Sequence, residues 1–100
     1  MSASPPALDL DAAALEAASR RLGLRRVVLF GSYATGEPTP DAHSDVDVAV
    51  SLASPRDRSA FWEIHNELAP IFADRPLDLV FLADADPLFR WEIVREGILL

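Results

Sequence analysis

Val46, Val48, Val50 and Leu52 alternate with Asp47, Ala49 and Ser51. Successive strand side chains point to opposite faces, so this segment reads as a strand with one apolar face and one face that carries a carboxylate. Asp45 lies two residues before Asp47 and points the same way, which lets the two carboxylates share divalent metal ions. A fold built on such a strand covers the apolar face with other elements and keeps the acidic end accessible. The second constraint lies upstream, where the β-branched and aromatic run Arg25 to Phe30 stops at Gly31-Ser32. That run reads as a buried strand, and a Gly-Ser turn at its end brings backbone N–H groups and a hydroxyl up to phosphate oxygens. Turn and aspartates together imply metal-assisted chemistry on a nucleotide.

The remaining elements are set by periodicity and capping. Residues 1–10 read as a flexible lead-in and 11–100 as the domain. Asp9 or Asp11 caps a helix over about 11–22 that carries Leu15, Ala18 and Leu22 on one face and stops at Gly23. Tyr33 to Gly36 forms a helical turn, and Glu37 to His43, with two prolines, is an exposed loop. From Arg56 onward Phe61, Ile64, His65, Leu68, Ile71 and Phe72 fall at helical spacing, with Pro70 set to interrupt the element. Leu77 to Leu82 is a third strand, with Asp78 on the face opposite Leu77, Leu79 and Phe81. Asp86-Pro87 reads as an N-cap followed by proline at the first helical position, opening a last helix that Gly97 ends. The order α-β-β-α-β-α gives an α/β domain, a short mixed sheet flanked by helices.

Composition excludes several chemistries. The 100 residues hold no cysteine, which rules out disulfides, thiolate catalysis and Cys-ligated zinc. All nine basic residues are arginine, so there is no lysine for a Schiff base or a Walker A loop. A net charge of −7 opposes direct binding of nucleic acid, which needs clustered positive charge, and favours a basic protein partner. No apolar stretch approaches the roughly 18 residues of a membrane span, so a cytoplasmic protein with no membrane contact is the expectation.

The candidate site residues each have a plainer reading. Asp45 and Asp47 are metal ligands, or else a turn and strand cap. Asp78 completes the set by binding metal or by accepting a proton from an attacking hydroxyl; otherwise it is a solvent-facing residue on an edge strand. Gly31 and Ser32 hold phosphate, or merely end a strand. Ser44 and His43 read as turn and solvated loop residues, and His65 as a hydrogen-bonded packing residue. Arg20, Arg21, Arg25 and Arg26 form the basic cluster, better explained by charge at a helix C-terminus than by a nucleotide patch. Trp62, Trp91 and Ile98-Leu99-Leu100 fit an ordinary core, and for the two tryptophans a protein interface weighs evenly against it.

Gly31-Ser32, then Ser44-Asp45-Val46-Asp47, then Asp78 in a later strand, resembles the DNA polymerase β-type nucleotidyltransferase superfamily and, within it, the minimal nucleotidyltransferases. The resemblance runs from about Leu22 to Leu100. It implies a polymerase β-like fold and transfer of AMP from ATP, with two Mg²⁺ ions held by Asp45, Asp47 and Asp78 and the nucleotide held by Gly31 and Ser32. Proteins of this kind are commonly antitoxins that modify a tyrosine of a HEPN-family ribonuclease toxin, so the resemblance also implies a hetero-oligomer with such a toxin. Two departures stand out: the twelve residues between Ser32 and Asp45 exceed the usual loop, and Thr35 occupies a position where arginine is common. These favour an alternative, an antitoxin that neutralises its partner by contact with weak catalysis. A third alternative is a small-molecule, aminoglycoside-type nucleotidyltransferase.

Overall fold

Asp11 opens the first helix in the computed structural model, which describes residues 10–36, 44–54, 60–72 and 75–100. The expected lead-in therefore lies almost wholly outside the described residues, as does the 37–43 loop with His43. The Asp11 carboxylate accepts a hydrogen bond from the Ala14 N–H at 3.0 Å, and helix α1 (Ala12–Leu22) ends where Gly23 takes φ +72°. Leu15, Ala18 and Leu22 are its buried face.

Strand β1 (Leu24–Phe30) leads through a short helix, α2 (Ser32–Thr35), to strand β2 (Val46–Leu52). The two strands pair antiparallel, with Val28 opposite Ala49 and Phe30 opposite Asp47. Helix α3 (Ala60–Leu68) gives way at Ala69–Phe72 to a 3-10 turn, because Pro70 lacks the N–H that an α-helix would use there. Strand β3 (Leu77–Phe81) then lies parallel to β2, with Asp78 opposite Asp47. It is one residue shorter than expected, since Leu82 enters a 3-10 turn over Leu82–Asp84.

Helix α4 (Pro87–Glu96) starts as read from the sequence: the Asp86 carboxylate caps the Phe89 N–H at 3.0 Å, and Pro87 comes next. Arg90 fastens it to the preceding turn by donating to the Leu82 and Ala85 carbonyls at 3.1 and 3.0 Å. A fourth strand, absent from the expected element order, closes the chain. Ile98–Leu99 forms β4, antiparallel to β1, with Val28 opposite Leu99. Two residues are too few for an alternating pattern. The strand forms because Gly97 lets the chain turn back tightly: a Cβ there would overlap the Ile93 carbonyl and Val28 Cγ1.

The mixed sheet has the order β3-β2-β1-β4. Its apolar face (Val27, Leu29, Val46, Val48, Val50, Leu79) meets α1 and α3 in the main core, which includes Ile64, Leu68 and Phe72. Full burial of side chains of this size stabilises by about 1.5–3 kcal/mol each, so this layer dominates the fold energetically. On the opposite face a smaller cluster joins Val28 and Ala49 to Ile93 of α4, with Phe30 and Phe89 packed against it. The aspartates stand beside this smaller layer.

His65 packs as expected, with Nε2 3.1 Å from the Leu77 carbonyl oxygen. Among the described residues no helix is long and apolar enough to cross a membrane.

Candidate active site

Gly31 ends β1 with φ +71° and ψ −153°, a combination that glycine adopts and other residues resist. The position is also sterically closed. A Cβ would overlap Asp47 Oδ2 and stand 3.0 Å from Asp47 Cγ, so the Asp47 carboxylate rests directly on the glycine backbone. The Gly31 carbonyl accepts from the N–H groups of Ala34 and Thr35 at 3.0 Å, which closes the turn of α2. Thr35 Oγ1 adds a bond to the same carbonyl at 3.3 Å. Gly36, at φ +78°, caps the turn through Ser32 O at 2.8 Å. Ser32 is the first residue of this turn, partly exposed and adjacent to the Gly31–Asp47 contact.

Asp47 and Asp78 sit at the same register on neighbouring parallel strands. Registered residues share a face and neighbouring strands lie about 4.8 Å apart, so the two carboxyl groups meet. Asp47 is partly buried, while Asp45 and Asp78 are exposed. Burial pushes the Asp47 carboxyl up from 3.8 to about 6, helped by the charge of Asp78, a hydrogen bond with Asp78 and the charge of Asp45. Such a bond needs a proton between the two groups, and a divalent cation relieves the same repulsion. Asp78 is thus exposed on an edge strand, as its plainer reading has it, and still engages Asp47.

Oxygen donors of this kind suit Mg²⁺. The full three-aspartate set is not assembled, however: among the described residues no three His, Cys, Asp or Glu side chains form a group that could hold a metal ion. Asp47 and Asp78 are brought together, and Asp45 acts on Asp47 through its charge.

Beside Gly31 a cavity of about 270 Å³ is lined by Phe30, Phe89, Glu92, Ile93 and Glu96. Of these, the sequence reading used Phe30 only as part of a strand and gave the α4 residues no role. The available signal was the i, i+3, i+4, i+7 spacing of Phe89, Glu92, Ile93 and Glu96, which puts them on one helical face. A larger cavity, about 490 Å³, lies around Arg26, Ser51 and Arg90 and contains none of the aspartates. Of the basic cluster, Arg20 pairs with Glu16 at 2.6 Å and Arg21 Nε donates to Glu67 at 3.1 Å, while Arg26 lines that larger cavity.

Residues 15–100 match the family described as polymerase beta, nucleotidyltransferase. The chain belongs to that family. A curated relative of this nucleotidyltransferase-family chain, the protein adenylyltransferase MntA of Shewanella oneidensis, is 38% identical over 74 residues. The alignment takes in 74% of this chain and 51% of the relative, so the chain spans about half the length of the curated protein it matches. Among solved structures, a toxin-antitoxin complex with AMP-PNP superposes with a TM-score of 0.72 at 33% identity, covering 90% of this chain and 72% of that one. The MNT antitoxin in a complex with tri-AMPylated Shewanella oneidensis HEPN toxin superposes at 0.61 and 30% identity, covering 85% and 64%. The family and fold inferred from the Gly-Ser and aspartate motifs are those found.

Proposed function

We propose that this protein is a cytoplasmic antitoxin that transfers AMP from ATP to a tyrosine hydroxyl of a HEPN-family toxin and so inactivates it. The observation that carries the reading is the seating of Asp47 on Gly31, with Asp78 against it, at the mouth of a Gly-Ser turn. The relative named as a protein adenylyltransferase, the AMP-PNP complex and the tri-AMPylated HEPN toxin support the nucleotide, the acceptor and the partner.

In this mechanism Gly31 and Ser32 hold the outer phosphates through the backbone and the hydroxyl. Asp78 accepts the proton of the attacking hydroxyl, the new P–O bond forms at the α-phosphorus, and pyrophosphate leaves with the bonding electrons of the broken P–O bond. Mg²⁺ held at the Asp47–Asp78 pair, with the charge of Asp45 beside it, would neutralise the charge gathered on the phosphates.

Thr35, turned back onto the Gly31 carbonyl, offers no guanidinium to a phosphate, and this favours as second reading a partner neutralised by contact alone. Incubation with labelled ATP, Mg²⁺ and a co-purified HEPN-type partner, followed by mass spectrometry, separates the two. AMP on a partner tyrosine is the expected result. Neutralisation of an unmodified partner would instead establish the contact-only reading.

A further inference from the structure

Strand β1 runs antiparallel to β2 and β3 runs parallel to it, so the last residue of β1 and the first residues of β2 and β3 lie at one end of the sheet. The Gly31-Ser32 turn, Asp45, Asp47 and the entry to β3 therefore gather there. That entry is tied on both sides. The Arg75 N–H donates to the Phe72 carbonyl at 3.3 Å, and the Pro76 carbonyl accepts from the Val46 N–H at 2.8 Å. Proline at 76 also disfavours helical backbone at Arg75. From this fixed entry the Arg75 side chain reaches over the ring of Tyr33, with Cζ 5.8 Å from the ring centroid. Tyr33 belongs to α2, which follows β1, and the sheet order sets β2 between β1 and β3. The side chain thus crosses the start of β2, where Asp45 and Asp47 stand.

We propose that Arg75 holds the β- and γ-phosphates of ATP, replacing the guanidinium that position 35 lacks, with the Tyr33 ring as the platform that positions it. The proposal rests on the adenylyl-transfer reading and names the residue that binds its leaving group. A triphosphate brings several negative charges to an end of the sheet that already carries Asp45, Asp47 and Asp78. Thr35, turned onto the Gly31 carbonyl, offers no charge to offset them. The other described arginines are committed elsewhere: Arg20 and Arg21 to glutamates, Arg90 to the Leu82 and Ala85 carbonyls, and Arg95 to the Trp91 ring and Glu96. Arg25 and Arg26 open β1 at its far end.

The platform suits the task. Tyr33 is buried, so its ring is fixed by the core. A ring engages the face of a guanidinium, whereas the N–H groups lie in the plane and meet phosphate oxygens two at a time. As the attacking oxygen bonds the α-phosphorus, the bond to the bridging oxygen breaks and its electron pair goes onto pyrophosphate. Arg75 neutralises the charge that this adds, and the hydroxyl proton passes to Asp78.

Calorimetric titration with AMP-PNP and with AMP, each with Mg²⁺, isolates the outer phosphates. Arg75→Ala should weaken AMP-PNP at least about tenfold and AMP less than about twofold, through loss of a charge-assisted contact that AMP does not make. Arg75→Lys, which keeps the charge without the planar fork, should fall between wild type and Arg75→Ala. Tyr33→Phe should bind as the wild type does. Tyr33→Leu should weaken AMP-PNP when Arg75 is present and add nothing to Arg75→Ala. Thermal melting identifies any variant that fails to fold, and Arg75→Gln, of similar reach without the charge, replaces Arg75→Ala in that case. AMP-PNP bound equally by the wild type and the folded variant overturns the proposal, and so does equal weakening of both nucleotides, which a purely structural role would give. A Tyr33→Leu effect that persists without Arg75 overturns the platform. Selective loss of AMP-PNP affinity in a protein that transfers no AMP to a HEPN-type partner upholds Arg75 and removes the adenylyl-transfer reading.

Discussion

The Asp47 carboxylate occupies the space that a Cβ on Gly31 would need, with Cγ 3.0 Å from that position and Oδ2 in overlap. The turn and the acidic strand are therefore one steric unit. Gly31→Ala should destabilise by about 1–3 kcal/mol, from positive φ and from displacement of Asp47. Asp47→Ala should absorb part of that cost, because it removes the obstructing atoms. A double-mutant cycle by urea denaturation should give a coupling of about 0.5–3 kcal/mol. Additive effects would show that the contact is not what closes position 31.

Asp47 also makes stability depend on pH. Its folded pKa, about 6, lies above the ordinary 3.8, so between these values the folded chain keeps a proton that the unfolded chain has lost. Stability then falls as pH rises through that window, and the loss is complete above the folded value. Asp47→Asn should therefore stabilise the domain more at pH 7.5 than at pH 4, by about 1 kcal/mol because the carboxyl is only partly buried. Denaturation curves at both pH values decide this; parallel pH dependence in wild type and variant would refute it.

The phosphate turn is tested by affinity. Ser32→Ala removes a single hydroxyl from the start of α2 and should weaken ATP binding by roughly 0.5–1.5 kcal/mol, or more toward charged phosphate. Calorimetric titration with AMP-PNP measures it. Unchanged affinity would place the phosphates elsewhere.

How far the sequence discloses this molecule differs from element to element. Strand β2 was readable because its two faces differ, and α4 began where Asp86-Pro87 said, because capping is local chemistry. Strand β4 was not readable: Ile98–Leu99 depends on β1 and on the close packing of Gly97, both distant from any local pattern. The aspartate motif named three carboxylates for one site, but not that Asp47 and Asp78 pair while Asp45 contributes through charge, since that depends on parallel register. Helix α4 misleads a reader of periodicity. Its apolar Leu88, Trp91 and Val94 point outward, and its glutamates border the cavity.

Exposure settles the balance left open for the tryptophans. Trp62 is 64% and Trp91 56% exposed, with Arg95 stacked over the Trp91 ring at 4.5 Å. Replacing either by Ala should change the stability of the isolated chain by less than about 0.5 kcal/mol. At a partner interface, the loss of an aromatic anchor should cost about 2 kcal/mol or more of binding. Thermal melts and pull-downs of each variant check both parts; loss of the fold in either variant would contradict the exposed placement.

Transfer by the Asp45→Asn, Asp47→Asn double variant bears on the chemistry as a whole. With ATP, Mg²⁺ and the HEPN-type partner, the intact mass of the partner should rise by AMP for the wild type and stay unchanged for the double variant. Circular dichroism should show both proteins folded, because neutralising Asp47 relieves its repulsion with Asp78. AMP added at the wild-type rate by the folded double variant would contradict the assignment of these aspartates to the chemistry.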